Sequence, residues 1–261
     1  MKVSIVTPSY NQGQFIEKTI LSVLNQTYSN IEYIIIDGGS TDNTMEVVNK
    51  YRDRVDIIIH EKDKGQSDAI NKGFKLATGE LVGWINSDDI LLPECVERIV
   101  QLVNEHPDGS IYYPARIDLI DGDDAPAGKV EKLIFNKSTL INNDYAIIQQ
   151  GSFYKTALVK KVNYLNEKIH YCMDLDLWLK LLDHGNIYFY DKAPLAAFRM
   201  WEDSKTSTGG VKFLKDIKET LQKHKMKTFS RNSTRLYWYM LKAMIKLQIK
   251  KPAAGQLSPI N

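Results

Sequence analysis

The sequence predicts an α/β protein: a mainly parallel central sheet flanked by helices, followed by a C-terminal helical extension. Three observations predict it. Short apolar, β-branched runs alternate with stretches of helical periodicity through the first half of the chain. The connections between them are short, as repeated β-α-β units require. The 261 residues are 43% hydrophobic and 25% charged, which suits a globular chain of one large or two small domains.

The elements follow in order. Val3-Ser4-Ile5-Val6-Thr7 reads as the first strand, stopped by Pro8. Phe15, Ile16, Ile20, Leu21, Val23 and Leu24 recur at helical spacing. Residues 31–36 form an apolar run of the length of a buried parallel strand. Gly38-Gly39-Ser40-Thr41-Asp42 breaks it, and Asn43 with Glu46 is expected to cap the next helix. Residues 55–59 read as a third strand, 69–77 as a helix ended by Gly79, and 81–85 as a fourth strand running into Asn86-Ser87-Asp88-Asp89. Pro93 stands where another helix could begin, with Val96, Ile99, Val100 and Val103 on its apolar face. Further on, 110–120 reads as one strand and 121–128 as a mobile loop. Leu175, Trp178, Leu179 and Leu182 make a helical stripe, and 187–190 and 195–200 are further strand candidates. Residues 231–251 hold six Lys or Arg, no acid, and the cluster Tyr237-Trp238-Tyr239. Residues 252–261 read as a disordered tail, and no internal repeat is present.

Composition excludes several classes. The net charge of +2 argues against nucleic acid as a partner. Two cysteines, Cys95 and Cys172, are too few for a disulfide scaffold and fit a reducing compartment. Pro8, Asn11 and Gly13 interrupt the stretch where a signal peptide would need an apolar run. The expected location is therefore cytoplasmic.

In open parallel sheets a ligand binds beyond the carboxyl ends of the strands. That rule selects three polar turns: residues 8–11, 37–42 and 86–89. Asp88 and Asp89 are adjacent carboxylates at a strand end, suited to Mg²⁺ or Mn²⁺ with phosphate oxygens. A turn that caps the following helix is the competing reading. Asp37 either accepts from a base or ribose or makes an Asp-Gly turn. Asp174 and Asp176 flank a helix start, where one is a cap or a general base. Cys172 reads as a small buried hydrophobe, and the five histidines as surface or packing residues. No P-loop and no Gly-x-Gly-x-x-Gly follows the first strand.

Taken together, the segments resemble the family 2 glycosyltransferases, which have the GT-A fold. The matching pieces are Val3 through Asn11, Ser22 through Tyr28, Ile36-Asp37-Gly38-Gly39-Ser40-Thr41-Asp42, Asp63 through Gly73, Ala77-Thr78-Gly79-Glu80 and Trp84-Ile85-Asn86-Ser87-Asp88-Asp89. The likeness is strong over 1–105, weaker to about 208 and absent beyond. It implies a domain over 1–210, with a nucleotide-sugar half (1–105) and an acceptor half (106–210). A helical basic extension over 211–251 and the tail 252–261 follow.

The resemblance also implies roles. Pro8, Tyr10 and Asp37 would line the nucleoside pocket, and Asp68 would contact the base or the diphosphate. Asn86-Ser87-Asp88 would stand for the Asp-x-Asp motif, with Asp88 on Mg²⁺ or Mn²⁺. Asp174 would be the base, Asp176 and Asp89 its and the metal's supports, and Gln150 a residue bordering the acceptor. Three departures stand out. Gly38 replaces a second Asp, which leaves the base contact to Asp37. Asn86 replaces the first Asp of the motif. Trp201 stands where relatives often carry a histidine near the metal. The implied reaction moves a sugar from a nucleoside diphosphate, UDP first, to an acceptor hydroxyl with inversion, in cell-surface polysaccharide or glycolipid synthesis. The competing readings are a nucleotidyltransferase and a sugar-nucleotide-binding module without activity. Residues 231–251 are expected either to lie peripherally on the inner face of a membrane, near a lipid-linked acceptor, or to pack on the domain.

Overall fold

The computed structural model describes residues 1–202 and 209–249, with side chains through residue 243. The first half runs β1 (Val3–Ser9), α1 (Ile16–Leu24), β2 (Ile31–Asp37), α2 (Thr44–Asn49), β3 (Ile57–His60), α3 (Gln66–Leu76) and β4 (Leu81–Trp84). Then come β5 (Ile90–Leu91), α4 (Cys95–Glu105), β6 (Gly109–Pro114), β7 (Arg116–Ile120), β8 (Pro126–Glu131) and α5 (Lys137–Asn142). β9 (Phe153–Lys155), α6 (Thr156–Lys161), α7 (Met173–Leu181), β10 (Asn186–Tyr190) and β11 (Ala196–Arg199) follow. The last described elements are α8 (Gly210–Lys223) and α9 (Arg231–Ile249).

The central sheet has seven strands in the order β10-β6-β9-β4-β1-β2-β3. Only β9 opposes its neighbours, β4 and β6. β1 and β4 are buried along their whole length, as strands covered on both faces must be. Ile16, Ile20 and Val23 of α1, and Ala69, Ile70 and Phe74 of α3, join the same core. A second sheet, β5-β11-β7-β8, stands beside it.

The second half departs from the expected elements. Residues 110–120 are two strands in two sheets. Ala115 divides them: its N–H donates to Tyr190 of β10, while its carbonyl accepts from Lys132 just past β8. The expected mobile loop at 121–128 is a closed turn leading into β8. Asp121 Oδ1 accepts the N–H of Asp123 and of Ala125, both at 2.9 Å. α2 is not capped by the Asn43 side chain. The Asp42 carboxylate takes the Thr44 N–H at 3.0 Å instead, and a charged acceptor suits the positive helix end better. α4 begins at Cys95, because the Pro93 carbonyl is used by Thr27 N–H at 2.9 Å.

The two C-terminal helices pack on the rest. α8 buries Ile217, Thr220 and Leu221. α9 buries Asn232, Ser233 and Leu236, and the Asn232 amide donates to the carbonyls of Leu140 and Ile141 in α5. The side chains of Lys246 and Leu247, and all of Lys250, Lys251 and 252–261, lie outside the described residues.

Candidate active site

From β1 the chain steps outward through β2 to β3, then returns to the other side of β1 to form β4. Strand order reverses there, and open α/β sheets bind ligands at such a point. A cleft of about 550 Å³ opens at the carboxyl ends of these strands.

Four turns line the cleft on the sheet side. Pro8, Ser9 and Tyr10 close β1, Gly38 follows β2, Lys62 and Asp63 follow β3, and Asn86, Ser87 and Asp88 follow β4. Gln66 and Ala69 belong to the first turn of α3. The other side is built from the second half: Gln149 and Gln150 before β9, His170, Tyr171, Met173 and Asp174 at the start of α7, and Phe198 and Trp201 around the end of β11.

Of the residues singled out in the sequence, Pro8, Tyr10, Asn86, Ser87, Asp88, Gln150, Asp174 and Trp201 line this cleft. Asp37, Asp68, Asp89 and Asp176 do not. Asp37 is fully buried and accepts from Gly39 N, Ser40 N, Ser40 Oγ and His60 Nδ1. The bond to Gly39 requires a tight turn, and Gly39 has a φ of 84°, which favours glycine. Asp68 accepts Lys64 N–H at 3.0 Å and pairs with Lys72 at 3.6 Å at the start of α3. Asp176 is fully buried within α7, 3.0 Å from Lys223 and 3.4 Å from both Lys180 and His224.

The Asn86–Asp89 turn is fastened from behind. Asp89 Oδ1 accepts the Arg199 backbone N–H at 3.0 Å. Its Oδ2 accepts from the amides of Asn86 and Gln150, both at 3.1 Å. The buried Arg199 side chain donates to the Asp88 carbonyl and pairs with Asp124 at 2.6 Å, which also holds the 121–125 turn in place. Asn86 Oδ1 accepts from Gln66 at 2.9 Å, so both ends of this amide are used inside the protein. Asp88 faces the cleft, and one carboxylate oxygen accepts Trp201 Nε1–H at 2.9 Å. Burial raises the Asp88 carboxyl, against the Trp201 bond and the Arg199 charge. Burial first, and then the Asp88 charge, pushes Asp89 up to about 8.

Asp174 sits in the first turn of α7. The rest of the helix anchors it. Leu175, Leu177, Trp178, Leu179 and Leu181 are buried, each contributing about 1.5–3 kcal/mol. Trp178 also donates to Tyr154 Oη at 2.9 Å. α8 fixes the preceding segment, since Asp216 accepts Tyr171 N–H at 3.2 Å and Thr220 lies 3.4 Å from the Cys172 sulfur.

Sequence reasoning missed Asp63, Gln66, His170 and Tyr171. The first two follow β3, whose turn obeys the same rule as the other three and was the signal available. His170 and Tyr171 lie in a stretch with no periodicity. The histidines also do more than expected: His60 and His224 each hold a buried aspartate, and His170 lines the cleft.

The fit to a divalent cation follows from the donor set. Asp88 is the one acid of the 86–89 turn facing the cleft, and an indole N–H can only donate. Among the described residues, no three His, Cys, Asp or Glu side chains converge to hold a metal ion. Mg²⁺ and Mn²⁺ do bind through one carboxylate when phosphate and water oxygens complete the shell. The residues fit a cation that arrives with a diphosphate.

Residues 4–162 match the family model described as glycosyl transferase family 2. An uncharacterized glycosyltransferase of Nostoc sp. is 37% identical over 127 residues, 48% of this chain and 39% of that one. Another, of Rickettsia typhi, is 29% identical over 214 residues, 79% of this chain and 66% of the relative. A chondroitin synthase of Pasteurella multocida is 31% identical over 206 residues, 73% of this chain and 20% of the synthase. The chain thus spans less than two-thirds of the length of each relative. Among solved structures, S. aureus TarS 1-349 in complex with UDP-GlcNAc superposes with a TM-score of 0.71 at 18% identity, covering 97% of this chain and 77% of that one. The mannosyltransferase PcManGT of Pyrobaculum calidifontis, in complex with GDP-Man and Mn²⁺, gives 0.66 at 14% identity, covering 98% and 76%. The fold is the GT-A fold expected from the motifs. With the family model matched over more than half of its residues, the chain belongs to glycosyl transferase family 2.

Proposed function

We infer that this chain transfers a sugar from a nucleoside-diphosphate donor to an acceptor hydroxyl, by a single displacement that inverts the anomeric carbon. One observation carries the reading: Asp88 and Asp174, from different halves of the chain, line the same cleft at the strand-order reversal. Asp174 takes the proton of the acceptor hydroxyl as its oxygen bonds to the anomeric carbon. The bond from that carbon to the phosphate oxygen breaks, and the diphosphate leaves with the electron pair. Asp88 would hold Mg²⁺ or Mn²⁺, which as a Lewis acid offsets the charge on the leaving diphosphate. Trp201 orients the Asp88 carboxylate, and Gln150 with the 170–174 segment borders the acceptor side. UDP is the favoured nucleotide, supported by the TarS complexes with UDP and UDP-GlcNAc. A glycan or lipid-linked acceptor, in cell-surface polysaccharide or glycolipid synthesis, fits such a donor.

The C-terminal helix suits peripheral attachment to the cytoplasmic face of an anionic membrane. Its Leu236 side packs inward, while Tyr237, Trp238 and Leu241 are exposed beside Lys242 and, on α8, Lys218. No described helix is long and apolar enough to cross a membrane. In flotation with anionic vesicles, the full chain should float, and the Tyr237→Ser/Trp238→Ser/Leu241→Ser variant should stay at the bottom. Equal flotation of the two would reject attachment.

The decisive assay is slow release of UDP from UDP-sugars with Mn²⁺ and no acceptor, then transfer to a hydroxyl acceptor. Tight donor binding with no release in either condition would make this a binding module. Incorporation of labelled pyrophosphate into the donor would make it a nucleotidyltransferase.

A further inference from the structure

We propose that Asp63 is the carboxylate that reads the nucleobase of the donor. The proposal rests on the nucleotide-sugar reading above and deepens it.

Two acids stand near the β2–β3 end of the cleft. Asp37 is the one that sequence reasoning selects, and its donors turn it inward. Gly39 N, Ser40 N and His60 Nδ1 bond Oδ2, and Ser40 Oγ bonds Oδ1. It does not line the cleft. Asp63 does. Its Oδ1 accepts Gly65 N–H at 2.8 Å, and Oδ2 has no hydrogen-bond partner among the described residues.

Gly38 makes room for it. A Cβ at position 38 would stand 2.3 Å from Asp63 Oδ2 and 2.8 Å from its Cγ. The carboxylate therefore occupies the space that any larger residue at 38 would take. Gly38 and Asp63 work as a pair, and either change removes the acceptor from this place.

Charge selects what this acceptor meets. Asp63 has no ion-pair partner among the described residues, so it repels a diphosphate and receives a neutral group that offers N–H or O–H. Tyr10, 59% exposed on the same side of the cleft, offers a ring face for a base to stack on. An ionised carboxylate only accepts. Uracil and guanine present a ring N–H to it. At the ring-nitrogen position cytosine N3 and adenine N1 present a lone pair and are repelled, and their donors are exocyclic amines one atom further round the ring. A polar site of this kind discriminates by about 10- to 100-fold where water reaches it.

The test is calorimetric titration of the full chain with UDP, GDP, CDP and ADP in Mg²⁺, repeated for Asp63→Asn, Gly38→Ala and Asp37→Asn. Wild-type protein should bind UDP or GDP at least about 10-fold tighter than CDP and ADP. Asp63→Asn should bring UDP and CDP within about threefold, because an amide can turn its NH₂ to cytosine N3. Gly38→Ala, which displaces the carboxylate without touching it chemically, should do the same. Asp37→Asn should lower the melting temperature and leave the nucleotide ratios in place. Unchanged ratios in both Asp63→Asn and Gly38→Ala would overturn the proposal. So would a collapse of the ratios in Asp37→Asn alone. Equal wild-type affinity for all four nucleotides overturns the role of Asp63 but keeps the nucleotide site. No binding of any of them overturns the nucleotide-sugar reading itself, and this proposal with it.

Discussion

The two ends of the central sheet both carry acids, and they use them differently. At the amino end, Glu32 of β2 is nearly buried and accepts from Lys2 Nζ, Ser4 Oγ, Thr78 N and Thr78 Oγ1, all at 2.5–2.8 Å. Both oxygens are spent on closing the sheet. At the carboxyl end the acids come in twos, one clamped and one at the cleft. Asp37 is clamped and Asp63 faces the cleft. Asp89 is clamped behind Asp88, and Asp176 behind Asp174. Acids near a site therefore sort by where their donors come from. A carboxylate whose donors all come from its own protein holds structure, and one with an oxygen on the cleft is available for chemistry.

Exchange of acid for amide at the cleft-facing members should break activity most. Asp88→Asn should lower turnover by about 10³-fold, the scale of lost charge stabilisation at a leaving group. Its donor affinity should weaken in Mn²⁺ and match wild type in EDTA. Asp174→Asn should lower kcat by about 10²- to 10⁴-fold with donor affinity unchanged. Rapid-quench transfer at saturating donor, with calorimetry of donor binding, checks both. Normal turnover in Asp174→Asn would move the base elsewhere and dissolve the distinction drawn at α7.

The clamped member of the same helix should give a smaller and different effect. Burial works against the Asp176 charge, but His224, Lys223 and Lys180 outweigh it and hold the carboxyl well below the ordinary range. Its stabilisation is therefore complete above the ordinary value of 3.8 and is lost as pH falls below it. Asp176→Asn should cost about 1–3 kcal/mol of stability at pH 7. It should lower kcat by less than about 10-fold, since Asp174 keeps its own helix turn. Urea denaturation at pH 7 and the transfer rate measure the two. A dead but fully stable variant would place Asp176 in the chemistry.

How much of this was legible follows from what each part packs against. β1 to β4 are local β-α-β units, so their apolar runs and the turn after β4 could be read directly. The second half depends on partners far away in sequence. β5 is two residues long, and β9 is a three-residue strand recognisable only by its neighbours β4 and β6. Pro114 precedes the change of sheets at Ala115, but the apolar run continues across it and so reads as one strand. In the site, Asp88 is selected by its place after a strong apolar strand, whereas the residues at α7 leave Asp174 and Asp176 open and the family resemblance chooses between them. Asp63 is not singled out, because the turn after β3 is not among the three polar turns selected, although that residue opens the matching segment Asp63 through Gly73. The bare Gly38 beside it leaves the room that aspartate occupies, and the Gly65 N–H holds one of its oxygens.

The smallest effect on chemistry is expected at the amino end. Burial opposes the Glu32 charge, and the bonds from Lys2, Ser4 and Thr78 outweigh it, holding the carboxyl down at about 2. A carboxyl lowered in the folded state stabilises fully above its ordinary value of 4.5 and loses that contribution as pH falls toward 2. Glu32→Gln removes the charge but keeps the shape. At pH 7 it should cost about 1–3 kcal/mol, a melting-temperature loss of several degrees. The gap between variant and wild type should begin to close near pH 4.5 and be gone near pH 2, because only the wild type has a charge to lose there. kcat and KM should stay within about twofold, because the cleft lies at the other end of the strands. Calorimetric melts across that pH range, beside transfer kinetics at pH 7, test the contrast between the two ends. A large loss of kcat with an unchanged melting temperature would mean that the amino end communicates with the site, and that a fully bonded acid is no guide to a purely structural role.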